Sequence, residues 1–406
     1  MKMDRRSWLA ALGLGAVGAI TGREGRAAEP PACPSGGGPL PLESFRPRSM
    51  LHVKETKVAT PRFPAIDVHT HFTWTASETK GIATGEKIAF NATAKDVLAV
   101  LDRKQVRAVV NLTGGTGKGL EATLDAFDRA HPGRFYTCTE PLYGSWLDPR
   151  YPQLQADAIE RAARAGARGL KVLKALGLGL RERLTEGALV KVDDKRFDPM
   201  WEACAAHNLP VYIHVADPEA FFLPIDCTNE RYDELRHHPE WSFHGRDFPS
   251  FAAIMEARDR VLARHPKTLF VGLHVGHNAE NLGFVSESLD RFPNFTVETG
   301  ARVGELGRQP RTSRKFFEKY QDRIFLGTDA VPPPDGNNYP QQVFKDELYE
   351  IYYRFLETED EYFDYAPPPA LVPPQGRWQI YGIGLPDSIL KKVYHENAER
   401  LLGLSA

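Results

Sequence analysis

A closed (β/α)8 barrel of the TIM type, in the α/β class, is the fold that the sequence predicts, and two observations predict it. From residue 65 onward, short runs rich in Val, Ile and Phe alternate with longer amphipathic stretches, the rhythm of repeated βα units around a parallel sheet. Eight such units can be counted, and closing them into a cylinder gives every strand two neighbours where an open sheet would leave two edges.

In chain order, the strand-like runs are 65–70, 107–113, 135–141, 168–173, 210–215, 268–274, 295–299 and 324–328. Helical periodicity follows near 93–104, 118–130, 153–165, 198–207, 249–264, 280–291, 311–321 and 387–402. Two stretches break the rhythm. Residues 217–248, which carry Tyr232, His237, His238, Trp241, Phe243 and His244, form one long βα connection. Residues 331–380 form another, with proline triplets at both ends and an acidic, aromatic run from Glu347 to Tyr365 between them. Long loops at the carboxyl rim of a barrel shape the substrate pocket; surface decoration or a subunit contact is the alternative.

The amino-terminal segment is set apart from the fold. Arg5 and Arg6 precede an apolar run through Ile20, and small residues follow at Ala27 and Ala28, the layout of a twin-arginine export signal over residues 1–28. The expectation is a periplasmic or otherwise exported protein. The run is short of the ~20 apolar residues that span a bilayer, so no stable membrane span is expected. Residues 29–60, rich in Pro and Gly, read as a linker and arm, and 61–406 as the barrel.

Composition excludes some partners. With 51 basic and 53 acidic residues the net charge is −2, which offers no excess to hold a phosphate backbone, so nucleic acid is not expected. The four cysteines, at 33, 138, 204 and 227, have no CxxC spacing and indicate neither a metal cluster nor a disulfide scaffold. Cys138 and Cys204 lie in apolar runs and read as core. A small-molecule substrate is the expected partner, and a homodimer is compatible with the sequence.

The chemistry begins with Ile66-Asp67-Val68-His69-Thr70-His71. Side chains alternate along a strand, so His69 and His71 face the same way and can share one ion; imidazole suits Zn, Mn or Fe. His214, His274 and Asp329 each close an apolar run of strand character. One such histidine is more often a satisfied core residue, but several converging on one rim point to a bound cation.

The order HxH, His, His, Asp after the first, fifth, sixth and eighth strands resembles the amidohydrolase superfamily, in particular the metal-dependent hydrolase branch related to aminocarboxymuconate-semialdehyde decarboxylase. His131-Pro132-Gly133-Arg134-Phe135, Gly169-Leu170-Lys171-Val172 and Asn397-Ala398-Glu399-Arg400-Leu401-Leu402 add to the similarity, which covers roughly residues 63–404. The resemblance implies one divalent metal, zinc first and Mn or Fe next, on His69, His71, His214 and Asp329. It implies catalytic roles for Asp329 as proton shuttle and for His274 as a histidine that steadies an oxyanion.

Lys171 is inward on the fourth strand. In binuclear relatives a carboxylated lysine here bridges a second metal, but binding of substrate by Lys171 beside a single metal is the reading preferred, and a salt bridge the plain alternative. Lys174 should face the other way and be structural. His277 is either a substrate contact or a solvated loop histidine; Arg302 either clamps a carboxylate or lies exposed. His237, His238 and His244 are pocket residues only through their loop, while His131, His265 and His395 read as surface groups.

Hydrolysis of a small amide, ester or lactone by metal-activated water is the first function expected. A metal-dependent decarboxylase of an aromatic or muconate-type acid is the alternative, kept open by Arg302 with Trp241, Phe221 and Phe222. A binding protein that kept only the fold would show a broken ligand set, and the set is intact.

Overall fold

The computed structural model describes residues 38–45, 47, 49–245, 247–333, 342–366 and 375–404. The export-signal reading of 1–28, with Cys33, Pro334 and the whole triplet 367–369, lies outside the described residues. Among the described residues, no helix is long and apolar enough to cross a membrane.

Eight parallel strands appear where the apolar runs place them: β1 Ala65–Thr70, β2 Val106–Asn111, β3 Phe135–Thr137, β4 Leu170–Val172, β5 Val211–Ile213, β6 Phe270–Gly272, β7 Phe295–Glu298 and β8 Ile324–Phe325. They form two arcs, β1-β2-β3 and β4 to β8. Parallel bridges between Thr139 and Leu170 and between Thr70 and Ala330 join the arcs at both seams. At the second seam Val68 N donates to Leu326 O, Asp329 N to His69 O and His71 N to Ala330 O, each within 2.9 Å. The cylinder is closed, as the count of βα units predicts.

The helices obey local rules. Thr93, Ser250 and Asn281 cap Ala94–Arg103, Phe251–Arg264 and Leu282–Arg291 by accepting a backbone N–H three residues on, which satisfies a donor the helix leaves open. Tyr151–Ala165 ends at Gly166, whose φ of 114° suits a residue without Cβ. Cys138 and Cys204 are fully buried, as predicted.

Several strands are shorter than their apolar runs because the chain leaves the ladder at the carboxyl ends to present side chains. His274 and Asp329, expected as strand ends, have φ of 55° and 61°. His274, Val275, Gly276 and His277 are all left-handed, with φ of 55, 56, 65 and 71°, a conformation that costs a β-branched residue such as Val275 about 1–2 kcal/mol.

The first part of the acidic, aromatic run is a helix, Asp346–Glu357, that packs on the barrel and does not line the pocket. Tyr349 donates to Asp67 Oδ2 at 3.0 Å, Tyr352 Oη accepts Ala301 N–H at 2.9 Å, and Tyr353 donates to Lys104 O at 2.8 Å. Its phenols bury hydrogen bonds that tie β1 and the β7 loop to the outer layer.

Candidate active site

One rim of the barrel collects the reactive groups, because every one of them ends or follows a strand. His69 and His71 come from β1, Lys171 from β4, His214 and His274 follow β5 and β6, Glu298 closes β7, and Asp329 follows β8. His69 Nε2 and His71 Nε2 are 3.2 Å apart, and each is 3.0 Å from Asp329 Oδ1. Ligand atoms of His69, His274 and Asp329 lie within 4.8 Å of one another. The rings of His214 and His274 are 4.3 Å apart, and the buried His214 Nε2 has no hydrogen-bond partner among the described residues.

Such a donor set fits a divalent cation. Ligands about 2.0–2.2 Å from zinc in a tetrahedron stand about 3.3 Å from each other, close to the edges of the His69–His71–Asp329 triangle. Burial holds His71 down to about 3 and pushes His214 and His274 well below the ordinary imidazole range, so these rings stay neutral, the form that ligates metal. Burial opposes the charge on Asp329, but the His69 and His71 imidazoles beside it hold the carboxyl well below its usual range.

His274 Nδ1 lies 2.8 Å from Gly300 O, which can only accept, so Nδ1 carries the proton and Nε2 keeps a lone pair. Lys171 is the cationic donor at this depth: Nζ is 3.4 Å from His69 Nε2, and burial lowers it to about 8.

Above the floor lies a cavity of about 140 Å³ lined by His71, Lys171, His214, His274, Asp329, Arg302 and Gln342. The 217–248 connection supplies much of its wall through Asp217, Phe221, Arg231, Glu234, Trp241 and Phe243, while Phe222 packs on Phe243 and Phe251. Trp74, which sequence reasoning missed, lines the cavity and stacks on His71 with ring centroids 4.8 Å apart.

Other residues stand apart from their predicted places. Lys174 lines the cavity and donates to Asp217 Oδ2 at 2.6 Å; β4 stops at Val172, so strand alternation no longer governs it. His277 is a buried residue, neither solvated nor in the pocket, and accepts Val215 N–H at 3.1 Å. His265 is buried on Asp198 and is no surface group. His237, His238 and His244 do not line the cavity, although His238 stacks on Trp241 at 3.9 Å.

Glu140, also missed, sits buried beside this rim, accepting a hydrogen bond from Thr75 Oγ1 at 3.0 Å. Burial raises it from 4.5 to about 7. Between those values the folded chain keeps a proton that the unfolded chain has lost, so stability falls as pH rises through the window, by on the order of 3 kcal/mol for a shift of this size. Replacing Glu140 by Gln should therefore stabilise the chain relative to wild type progressively from about pH 5 to about pH 8; a pH-independent difference in chemical denaturation would rule this out.

A profile of the amidohydrolase family matches residues 66–404. No curated protein sequence matches. Among solved structures the chain is similar to a 2,6-dihydroxybenzoate decarboxylase from Rhizobium, at 13% identity and TM-score 0.48, covering 84% of this chain and 99% of that one. It is similar to a 5-carboxyvanillate decarboxylase from Novosphingobium aromaticivorans, complexed with manganese, at 16% identity and TM-score 0.43, covering 76% and 79%. A third, described as a probable 2-pyrone-4,6-dicarboxylic acid hydrolase from Acinetobacter baumannii, has 12% identity and TM-score 0.49, covering 84% and 100%. A profile that runs from β1 to the closing helix spans the whole barrel and every rim residue described above, and the chain belongs to the amidohydrolase family.

Proposed function

We propose that this protein is a metal-dependent hydrolase of a small amide, ester or lactone that carries a carboxylate. The observation that carries this reading is Asp329: a carboxylate kept ionised on the cavity floor, 3.0 Å from two imidazole nitrogens and open to substrate on one side. His69, His71, His214 and Asp329 would hold one divalent ion, with His274 beside the cluster, its Nδ1 4.0 Å from Asp329 Oδ2. A bound ion would lower the pKa of a water towards ~7 and give a Lewis-acid contact to the substrate oxygen.

Asp329 takes the proton released as the water oxygen bonds to the carbonyl carbon. It returns that proton to the nitrogen or oxygen that departs when the C–N or C–O bond breaks. Lys171 donates to the oxygen on which charge develops. Arg302, at the cavity wall, and Lys174 offer cationic contacts to a substrate carboxylate.

A specific observation favours a second reading, decarboxylation of an aromatic or muconate-type acid: Trp74, Phe221, Trp241 and Phe243 line the same cavity as Arg302. The two are separated by supplying the metal-loaded protein with a panel of carboxylated lactones, esters, amides and hydroxybenzoates. Hydrolysis predicts ring-opened or cleaved products without carbon dioxide; release of carbon dioxide from the aromatic acids alone would replace it with the second reading.

A further inference from the structure

Glu298 is a carboxylate fully buried where β7 ends. Oε1 accepts the backbone N–H of His274 at 2.5 Å and stands 3.2 Å from His69 Nδ1, while Oε2 accepts the backbone N–H of Gly300. His69 Nδ1 makes no hydrogen bond among the described residues, and Glu298 Oε1 is the charged atom that faces it. Two glycines make room for this carboxylate. A Cβ at Gly300 would stand 2.6 Å from Glu298 Oε2 and 2.8 Å from His69 Nδ1, and a Cβ at Gly327 would collide with the same oxygen.

The partners of Glu298 are the two groups that most need holding. His69 offers Nε2 to the cluster only if the proton sits on Nδ1, and a carboxylate facing Nδ1 selects that tautomer. His274 opens a left-handed turn of four residues, and a turn so rarely populated persists only where its surroundings over-determine it. Glu298 holds its first N–H, Arg258 donates to Gly276 O at 2.7 Å, and His277 accepts Val215 N–H at its far end.

We infer that Glu298 is the positioning residue of the metal centre, a single carboxylate that sets the tautomer of His69 and the backbone turn that aims His274. The inference rests on the metal-centre reading above, and zinc affinity of the full chain, measured by chelator competition, tests the two separately. Glu298→Gln offers one oxygen and one NH2 where two N–H donors and an imidazole need a carboxylate, and zinc affinity should fall by roughly 10- to 100-fold. Glu298→Asp, which keeps the charge on a shorter arm, should fall between that variant and wild type. Glu140→Gln removes another buried carboxyl, whose hydrogen bonds go to Thr75 and Gly115, and should bind zinc as wild type does.

Circular dichroism checks each variant for folding, and if Glu298→Gln does not fold, Glu298→Asp carries the comparison against Glu140→Gln. Zinc binding unchanged in the folded Glu298 variants, or weakened as far in Glu140→Gln, overturns the assignment. A wild-type chain that takes up no zinc overturns the metal-centre reading itself.

Discussion

His69→Ala should yield a folded barrel without metal and without turnover. The imidazole lies at the centre of the cluster, within 3.2 Å of His71, Asp329 and Glu298 together, so its loss removes a ligand and leaves Glu298 with a backbone role only. A catalytic metal supplies several kcal/mol of charge stabilisation, so turnover should fall by roughly a thousandfold or more. The fold should survive because the β1–β8 seam is held by other groups. Asp67 accepts His69 N–H, Thr328 N–H and Oγ1–H, and Tyr349 Oη–H, and none of these bonds uses the ring. Elemental analysis beside circular dichroism checks the outcome, and a metal-free variant with full turnover would remove the metal from the mechanism.

The parts of this site that were legible in the sequence are those that alternate or recur. His69 and His71 announce themselves by period-two spacing in an apolar strand, and His214, His274 and Asp329 by closing runs of the same kind. Lys171 follows from the same alternation, and the barrel from the eight-fold rhythm that carries all of them. What alternation does not govern was read wrongly or not at all. Lys174 lies beyond the end of β4, and His277 lies in a left-handed turn for which Val275 gives no sequence signal.

Glu298 was invisible for another reason. One acid after an apolar strand has no period and no motif of its own, and its meaning comes from Gly300 and Gly327, whose missing Cβ atoms open the space it fills. Trp74 and Glu140 depend likewise on contacts between distant segments: a ring stacked on His71, and a carboxyl bonded to Thr75 from across the rim. The helix Asp346–Glu357 reads as part of a long connection that shapes the pocket or decorates the surface until its buried tyrosines are seen to serve Asp67, Ala301 and Lys104.

Asp329→Asn should be as damaging to turnover as the loss of His69, by a different route. Gln342 Nε2 donates to Asp329 Oδ2 and to the Asp329 carbonyl, while Oδ1 faces the two imidazole nitrogens. An asparagine must turn its oxygen to the Gln342 donor, since NH2 against NH2 leaves two buried donors opposed. That choice points the amide NH2 at His69 Nε2 and His71 Nε2, where it cannot ligate a cation and cannot take a proton from water. The variant therefore loses a ligand and the general base in one step. Turnover at saturating metal should drop by ~10² to 10⁴ from the lost base alone, with weakened metal binding as a separate, titratable defect. Turnover within tenfold of wild type at full metal occupancy would show that another group carries the proton, and His274 Nε2, neutral and unprotonated on the same floor, would then be the residue to replace.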